Sequence, residues 1–414
     1  MQFQSGALTK SNRHRPGHKQ RLAPRRFALS ARRQLLRHRD PIGQREPADF
    51  TQVGKRTHSF RWLVFGVVLA LSLGLAGKAH ADLVWAGLEG GGGARIRYSA
   101  DSGTTWETQP LDSGRVRPSD VMFIDATHGW AVHFNRVAYT SDAGATWTNG
   151  PAASDDLNEL DFVTTSTGWV VGDSGIIQKT TDGGVTWSTQ TSGSTQHLNG
   201  VSFVNADLGW AVGNGGTLMS TADGGSTWTT QTSPNSTTAY QKVEFIDELT
   251  GWAVGNRGRI VHTADGGASW TAQNSGLSSS FTITGLSFVD NQKGWVTSST
   301  RILSTSDGGV TWAQQTTPSG ISTLNDIFFL DENNGWAVGA QGVLLHTSDG
   351  GLNWLLQDNG FSGPTGDDFT DVWVVAAVPE PSASMFGGLV CSVIAAVYFA
   401  NRRSPTSYPT DCVA

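Results

Sequence analysis

Seven aspartates recur in one local pattern, in which glycine follows within two residues and tryptophan follows five residues on. An Asp in a repeated motif suggests catalysis at first sight. The spacing favours a structural role, because a carboxylate can accept backbone N–H bonds across a tight turn and glycine supplies positive φ without steric cost. We therefore expect turn-forming aspartates at Asp101, Asp142, Asp182, Asp223, Asp265, Asp307 and Asp349.

Six residues before each of these aspartates lies a second column, and four of its seven members are basic. Equivalent positions in a repeated unit would place them as one arc on one face. Each arginine could simply pair with a nearby carboxylate or cover a tryptophan. Together they could instead form a surface for an acidic partner, and this reading predicts partner-binding residues at Arg95, Arg136, Arg259 and Arg301.

A third column lies in short apolar segments and is partly acidic. Side chains two residues apart on a strand lie on the same face, so Asp161 and Glu244 are expected to face the same side as this column. A solvated channel mouth is the simpler interpretation, although clustered carboxylates also suit hard cations. No EF-hand-like loop is present, so we predict neither a metal nor a cofactor. The acidic arc at the central channel is expected to comprise Asp120, Glu159, Asp326 and Asp371.

The elements that must position these columns repeat with a fixed period. The turn tryptophans are 40–42 residues apart, and a Gly-Trp pair precedes most of them. The chain has 51 Gly and 16 Trp with only 15% charged residues, which favours short strands and tight turns. Each repeat contains four strand-like segments separated by Gly, Asn and Asp. A period near forty without helical patterning predicts a β-propeller.

The two ends of the repeat region complete each other. Residues 83–87 resemble a second strand that lacks its first, and residues 369–375 resemble a first strand that lacks the rest. Pairing them would close the ring and remove an open sheet edge. We therefore predict an all-β, seven-bladed β-propeller with terminal strand closure over residues 82–377.

The N-terminal segments indicate export. Residues 62–81 combine an apolar run with Ala79-His80-Ala81, an A-x-A pattern typical of a signal peptide cleavage site. An uncleaved anchor helix is the alternative. Residues 1–61 are too basic and too long for an ordinary leader, so we expect either disorder or a mis-assigned start, with Val53 as the candidate for the true start.

In the C-terminal segments, the motif Pro379-Glu380-Pro381 precedes an apolar run and the pair Arg402-Arg403 over residues 378–403, and a tail of residues 404–414 follows. This order of motif, apolar run and positive charge resembles a PEP-CTERM sorting signal, which an exosortase processes in Gram-negative bacteria. Sixteen apolar residues are short for a stable membrane span, and a plain membrane anchor is the alternative. The resemblance implies an exosortase-type enzyme and the membrane as partners, and a place in the cell envelope, on the outer surface or in the extracellular matrix.

The repeated turn resembles the Asp box of bacterial sialidases, and the GWAVG…TxDGGxTW repeat resembles the photosystem II assembly and stability factor propellers. The second resemblance covers residues 83–376 and implies an arginine patch that binds a partner protein. A sialidase needs inner-strand arginines and a tyrosine nucleophile, and the inner-strand segments contain no arginine.

Charge and composition narrow the function further. Residues 82–378 contain 11 Lys/Arg and 30 Asp/Glu, a formal charge of −19, which argues against nucleic-acid binding. Both cysteines, Cys391 and Cys412, lie in the tail, so the repeats have no thiolate site. We expect an exported, non-enzymatic propeller that binds protein or extracellular polysaccharide. The alternatives are an assembly factor for a membrane complex and a divergent glycan hydrolase.

Overall fold

Seven four-stranded antiparallel sheets form a closed ring. The computed structural model describes residues 81–90, 95–111, 118–360 and 367–376. The innermost strand of each sheet contacts the innermost strand of the next, and the last of these returns to the first. The prediction of a seven-bladed β-propeller is thereby confirmed. We number the blades 1 to 7 in chain order, with blade 1 shared between the two ends of the described chain.

The strands are short, and each blade places its first strand at the centre and its fourth at the rim. Blade 1 begins with β1 (Leu83–Glu89), β2 (Arg95–Ser99) and β3 (Glu107–Pro110). Blade 2 comprises β4 (Pro118–Phe123), β5 (Gly129–His133), β6 (Arg136–Thr140) and β7 (Thr148–Asn149). Blade 3 comprises β8 (Leu157–Phe162), β9 (Gly168–Gly172), β10 (Ile177–Thr180) and β11 (Ser188–Gln190). Blade 4 comprises β12 (Leu198–Phe203), β13 (Gly209–Gly213), β14 (Leu218–Thr221) and β15 (Thr229–Thr230).

The remaining blades repeat this order, and β28 then completes blade 1. Blade 5 comprises β16 (Tyr240–Phe245), β17 (Gly251–Gly255), β18 (Arg259–Thr263) and β19 (Thr271–Asn274). Blade 6 comprises β20 (Gly285–Phe288), β21 (Gly294–Ser298), β22 (Arg301–Thr305) and β23 (Ala313–Gln314). Blade 7 comprises β24 (Leu324–Phe329), β25 (Gly335–Gly339), β26 (Leu344–Thr347) and β27 (Leu355–Leu356). The inner strand of blade 1 is β28 (Asp368–Val375).

Helical structure in the described ranges is confined to three short 3₁₀ turns. They join second to third strands at Asp173–Gly175, Asn214–Gly216 and Ala340–Gly342. No helix within the described ranges has the length and apolar character needed to cross a membrane. The predicted basic segment, the PEP motif and its membrane span lie outside the described residues, as does all of the signal peptide except Ala81.

Strand pairing between the two ends closes the ring as the sequence predicts. β28 runs antiparallel to β1, with Val84 opposite Val374 and Gly87 opposite Asp371. β1 then pairs with β2 and β2 with β3, so one sheet contains residues from both ends of the repeat region. Separation of the blade 1 strands would therefore open the whole ring.

Aromatic stacking between neighbouring blades recurs throughout the core. A second-strand tryptophan stacks on the last inner-strand phenylalanine of the following blade at six of the seven interfaces, with ring centroids 3.5–3.7 Å apart. The same phenylalanine meets the turn tryptophan of its own blade edge-on, which is a favoured aromatic geometry. The stacked pairs are Trp85–Phe123, Trp130–Phe162, Trp169–Phe203, Trp210–Phe245, Trp252–Phe288 and Trp295–Phe329.

This stacking explains why glycine precedes the second-strand tryptophan in blades 2 to 7, the six blades whose inner strand contains the stacked phenylalanine. A Cβ added to Gly209 would lie 2.2 Å from the ring of Phe203, which folds over the glycine. The interface between blades 7 and 1 differs, because Val374 replaces the phenylalanine against Trp336. The ring therefore closes on an aliphatic contact rather than on an aromatic stack.

Candidate functional site

The strand order sorts the three predicted columns onto three surfaces. Third strands begin on the side of the ring that also contains the second-to-third turns and the blade-to-blade connections, and we call this side the arginine face. The opposite side contains the seven aspartate turns and the first-to-second turns, and we call it the aspartate face. The inner-strand column faces the central channel. These placements follow from the antiparallel order within each sheet.

The turn aspartates hold their own loops together. Asp223 Oδ1 accepts the Thr227 N–H and the Thr221 hydroxyl, both at 2.8 Å, and Oδ2 accepts the Thr227 hydroxyl at 2.7 Å. The Thr221 hydroxyl in turn accepts the Gly225 N–H. The Thr227 N–H and hydroxyl bonds lower the pKa of Asp223. Equivalent networks form in the other six turns, so the structure places all seven carboxylates in local turn bonds.

Two of the four predicted arginines are engaged within the propeller. Arg95 Nη2 donates to Asp367 Oδ2 at 3.0 Å, and this ion pair joins blade 1 to the segment that leads into β28. Arg136 Nη1 donates to the Gly150 carbonyl at 2.8 Å. For these two residues the simpler interpretation of the sequence, local pairing, describes the structure.

The other two predicted arginines lie on neighbouring blades and are more available. The Arg301 guanidinium lies 4.1 Å from the ring centroid of Phe281, a cation–π contact. Arg259 is exposed at the start of β18. Arg257, which lies outside the aligned column, is also exposed, in the turn before β18 at φ +62°. The doubled arginine in Gly255-Asn-Arg-Gly-Arg259 is the sequence signal that the alignment missed.

The surroundings of these three arginines contain few negative charges. In the described segment from Gly213 to Leu344, each Asp or Glu lies either in a turn of the aspartate face or in the channel. The connections between blades 4 and 7 on the arginine face contain only uncharged residues. Blades 5 and 6 therefore present a basic and partly aromatic surface. We call it the basic patch and define it by Arg257, Arg259, Arg301 and Phe281.

The acidic arc is assembled around a lysine. The predicted residues line one cavity of about 330 Å³ in the channel, together with Lys242 of β16. Lys242 Nζ lies 2.9 Å from Glu159 Oε1, 3.6 Å from Asp371 Oδ1 and 3.9 Å from Asp120 Oδ1. The side chain reaches across the channel from blade 5 to blades 1, 2 and 3. Its ion pairs neutralise part of the arc.

The arc carboxylates also join neighbouring blades. Each one accepts a backbone N–H from the inner strand of the next blade, a group that the sheet itself leaves unpaired. The oxygens and donors are Asp371 Oδ2 with the Val121 N–H at 2.9 Å, Asp120 Oδ2 with Leu160 at 2.8 Å, Glu159 Oε2 with Val201 at 3.1 Å, and Asp326 Oδ2 with Val372 at 3.4 Å. The arc thus links blades 7, 1, 2, 3 and 4 in succession.

A second ring of acceptors lies two residues farther along the inner strands. Asp161 Oδ2 accepts the Phe203 N–H at 2.6 Å, and Glu244 Oε2 accepts the Phe288 N–H at 3.0 Å. Serine hydroxyls occupy the same position in blades 4 and 6. The carboxylates that the sequence places in the channel therefore act mainly as connections between blades.

Burial changes the proton affinity of these groups. It raises the pKa of Glu159 to about 7, although Lys242 opposes the shift. Burial likewise raises the pKa of Asp161 to about 7 and that of Glu244 to about 8. Burial lowers the pKa of Lys242, but the surrounding carboxylates outweigh it and raise that pKa well above its usual value. Lys242 therefore stays charged at neutral pH, where Glu159 beside it titrates.

Two arrangements that metal-dependent enzymes or sialidases use are absent from the described residues. They contain no group of three or more His, Cys, Asp or Glu side chains arranged to hold a metal ion. The seven inner strands contain no arginine that could grip a substrate carboxylate. Tyr240, on an inner strand, is fully buried and bonds to the Ser233 hydroxyl at 3.0 Å. The channel chemistry is that of charge pairing and backbone capping.

Comparison with known proteins identifies relatives of the repeat. The family model described as Photosynthesis system II assembly factor YCF48 matches residues 98–192, 152–230, 187–277 and 272–359. A solved structure of YCF48 bound to a D1 peptide is 20% identical, covers 65% of this chain and 92% of that chain, and has a TM-score of 0.53. YCF48 from Cyanidioschyzon merolae is 19% identical, with coverages of 66% and 96% and a TM-score of 0.51.

A lyase shares the same architecture. A catalytically inactive virginiamycin B lyase from Staphylococcus aureus, solved with quinupristin, is 14% identical, covers 63% of this chain and 92% of that chain, and has a TM-score of 0.50. No curated protein matches the chain. At these identities the solved structures show a shared fold alone. The fold includes an enzyme as well as proteins that carry the assembly-factor name, so it does not by itself decide between binding and catalysis.

Proposed function

The chain belongs to the Photosynthesis system II assembly factor YCF48 family, and we propose that it is a non-enzymatic propeller that holds a polypeptide of a membrane complex during assembly. The basic patch carries this proposal. Two exposed arginines and an arginine stacked on an aromatic ring lie on a face where the neighbouring connections are uncharged. Such a surface suits a partner segment with carboxylates, because arginine forms paired hydrogen bonds with them.

The family relation supports a protein partner. One relative has been solved with a D1 peptide bound. For the present chain, we infer a polypeptide partner whose contact segment contains Asp or Glu. The patch is narrower than the four-arginine arc expected from the sequence, because Arg95 and Arg136 are engaged within the propeller. It also includes Arg257.

The absence of enzymatic activity is part of the same proposal. The carboxylates of the channel accept backbone N–H groups of the adjacent blades and surround a charged lysine. A general acid or base must reach the proton it transfers in a substrate. Side chains that already connect the blades are poorly placed for that role.

An exported location completes the proposal. The signal-like residues 62–81 and the sorting motif Pro379-Glu380-Pro381 support it. They also favour a second candidate function, a cell-surface scaffold that binds protein or polysaccharide and is processed by an exosortase-type enzyme. Fractionation of the source cells separates the two. Co-purification with a membrane protein complex would favour assembly, and release with the extracellular matrix would favour the scaffold.

The basic patch is tested by charge removal at constant shape. A triple variant with Arg257→Gln, Arg259→Gln and Arg301→Gln should lose capture of a defined partner from the solubilised native envelope, and added salt should weaken wild-type capture. The matched control is Arg95→Gln with Arg136→Gln, which removes two arginines of the same face. Equal loss in both variants, or no loss in the triple variant, would refute the assignment.

A further inference from the structure

The rim of blade 7 differs from the other six rims. Its fourth strand, β27, consists of Leu355 and Leu356, which are 62% and 61% exposed. Leu352 in the preceding turn is 79% exposed, at a position where blades 3 and 6 have the exposed valines Val185 and Val310. The fourth strands of the other blades carry polar or small residues at the corresponding positions, including Thr148-Asn149, Ser188-Thr189, Thr229-Thr230, Thr271-Ala272 and Ala313-Gln314. Exposed apolar residues that cluster in this way mark interaction surfaces.

The backbone of this rim can accept another strand. β27 is the outermost strand of its sheet, and its outer edge pairs with no strand in the described residues. The Gln357 N–H donates inward to the Leu344 carbonyl. Because an antiparallel ladder alternates, the N–H and C=O of the neighbouring Leu356 point outward. An exposed, apolar sheet edge is a template for strand addition.

A side-chain cavity adjoins the edge. Leu356 lines a cavity of about 320 Å³ together with Pro318, Ile321 and Val343. Leu355 pairs with His346 and, by alternation, lies on the other side of the sheet. An added strand would therefore meet an apolar side chain on each of its faces. The cavity could also accommodate one side chain of the added strand.

Charge indicates the kind of segment that fits. The described chain from Ile302 to Gly360 contains no Lys or Arg, and Asp349 and Asp358 bracket β27 in sequence. Arg97, the cation that contacts this region from blade 1, is buried and donates to the Asn359 carbonyl. The edge is thus apolar and flanked by acidic groups. It complements an extended segment with apolar residues and basic flanks.

Area argues against a second copy of this chain as the occupant. Three leucines at these exposures offer less than about 400 Å², well below the roughly 800 Å² that each partner buries in a standard interface. We infer that the outer edge of blade 7 is a docking site for an extended polypeptide of a partner protein, which adds to β27 as a fifth strand and carries apolar residues flanked by Lys or Arg. This site is separate from the basic patch, and it does not depend on the function proposed for that patch.

A synthetic probe tests this inference directly. A fluorescent nonapeptide with five central residues that alternate Val and Thr, and with two Lys at each end, should bind the wild-type protein, with anisotropy as the readout. A version with Glu at both ends should bind at least about tenfold more weakly, as should one with proline at the centre, which lacks the strand N–H. The triple arginine variant should bind the probe as the wild type does.

Variants of the strand complete the test. Leu355→Thr with Leu356→Thr copies the Thr229-Thr230 strand of blade 4, so it should fold normally and lose binding by about tenfold or more. The control, Thr229→Ser with Thr230→Ser, should leave binding unchanged. Probe binding should also slow hydrogen exchange at the Leu356 amide. Equal binding of the three peptides, or unchanged exchange at Leu356, would overturn the inference. The inference would also be overturned if the wild-type protein were a dimer and the Leu355→Thr, Leu356→Thr variant were a monomer.

Discussion

Replacing Lys242 with methionine removes the cation around which the channel carboxylates are arranged. Methionine keeps a similar length and apolar stem but cannot pair with Glu159, Asp371 or Asp120, which lie 2.9–3.9 Å from Nζ. Lys242 is the one Lys or Arg among the residues lining the channel cavity. The variant therefore leaves several buried carboxyls facing one another without a counter-charge.

The expected loss follows from burial. The side chains are 21% exposed for Lys242, 12% for Glu159 and 4% for Asp371, so the pairs are largely desolvated. Breaking a buried pair by removing one partner typically costs about 3–5 kcal/mol of unfolding free energy. For a domain of about 300 residues, about 1 kcal/mol lowers Tm by roughly 1.5–2 °C. We expect Tm to fall by roughly 5 °C or more at pH 8.

The loss should shrink in acid. The folded-state pKa of Glu159, about 7, lies above its unfolded value, so the folded state binds protons more tightly. Stability from such a group is present at low pH and is lost as pH rises through the folded pKa. Without Lys242, protonation is the remaining way to neutralise the arc. The difference between variant and wild type should therefore be smaller at pH 5.5 than at pH 8.

Thermal melts followed by circular dichroism at both pH values measure this effect. The matched control is Lys293→Met, which breaks an exposed pair with Glu332 and should cost no more than about 1 kcal/mol at either pH. A Lys242→Met variant as stable as the wild type at pH 8, or one with the same loss at both pH values, would refute the account of the channel.

Two further variants test the acceptor ring and the aromatic core. Glu244→Gln keeps an oxygen for the Phe288 N–H but cannot ionise. It should therefore raise the free energy of unfolding by ~1–3 kcal/mol at pH 8.5 and change it little at pH 5.5. Equal effects at both pH values in urea titrations would contradict this. Gly209→Ala drives a methyl group into the Phe203 ring and should lower the free energy of unfolding by ~1–3 kcal/mol or more. The control is Gly193→Ala, an exposed position at φ +71° with open space around it, where backbone strain alone should cause a smaller loss. Similar losses in the two variants would argue against the steric explanation.

Periodicity made the fold predictable from the sequence. Each repeat contains its own turn aspartate, and blades 2 to 7 each contain a Gly-Trp pair and an inner-strand phenylalanine, so one of these repeats predicts the contacts of the others. The missing strands at the two ends predicted closure, which the pairing of β1 with β28 confirms. The interface between blades 7 and 1 has Val374 where the others have phenylalanine, and this difference is also visible in the aligned repeats.

The candidate site was less predictable, because its partners lie outside the repeat. Arg95 is engaged by Asp367, and Arg301 stacks on Phe281, and both partners belong to irregular connections. Arg257 lies two residues from the aligned column and was overlooked. Lys242 occupies the position of β16 that corresponds to the arc residues of the other inner strands, but only the ring geometry brings its ammonium across the channel to blades 1, 2 and 3.

Site-specific photo-crosslinking in the native envelope tests the basic patch most directly. p-Benzoylphenylalanine in place of Ser280, which is exposed beside Phe281, should crosslink one partner polypeptide through a segment rich in Asp or Glu. The same group in place of Thr195, exposed on the connection between blades 3 and 4, should not. The Ser280 crosslink should disappear in the triple arginine variant. A crosslink that persists there, or that forms equally from position 195, would contradict the proposed role of the patch.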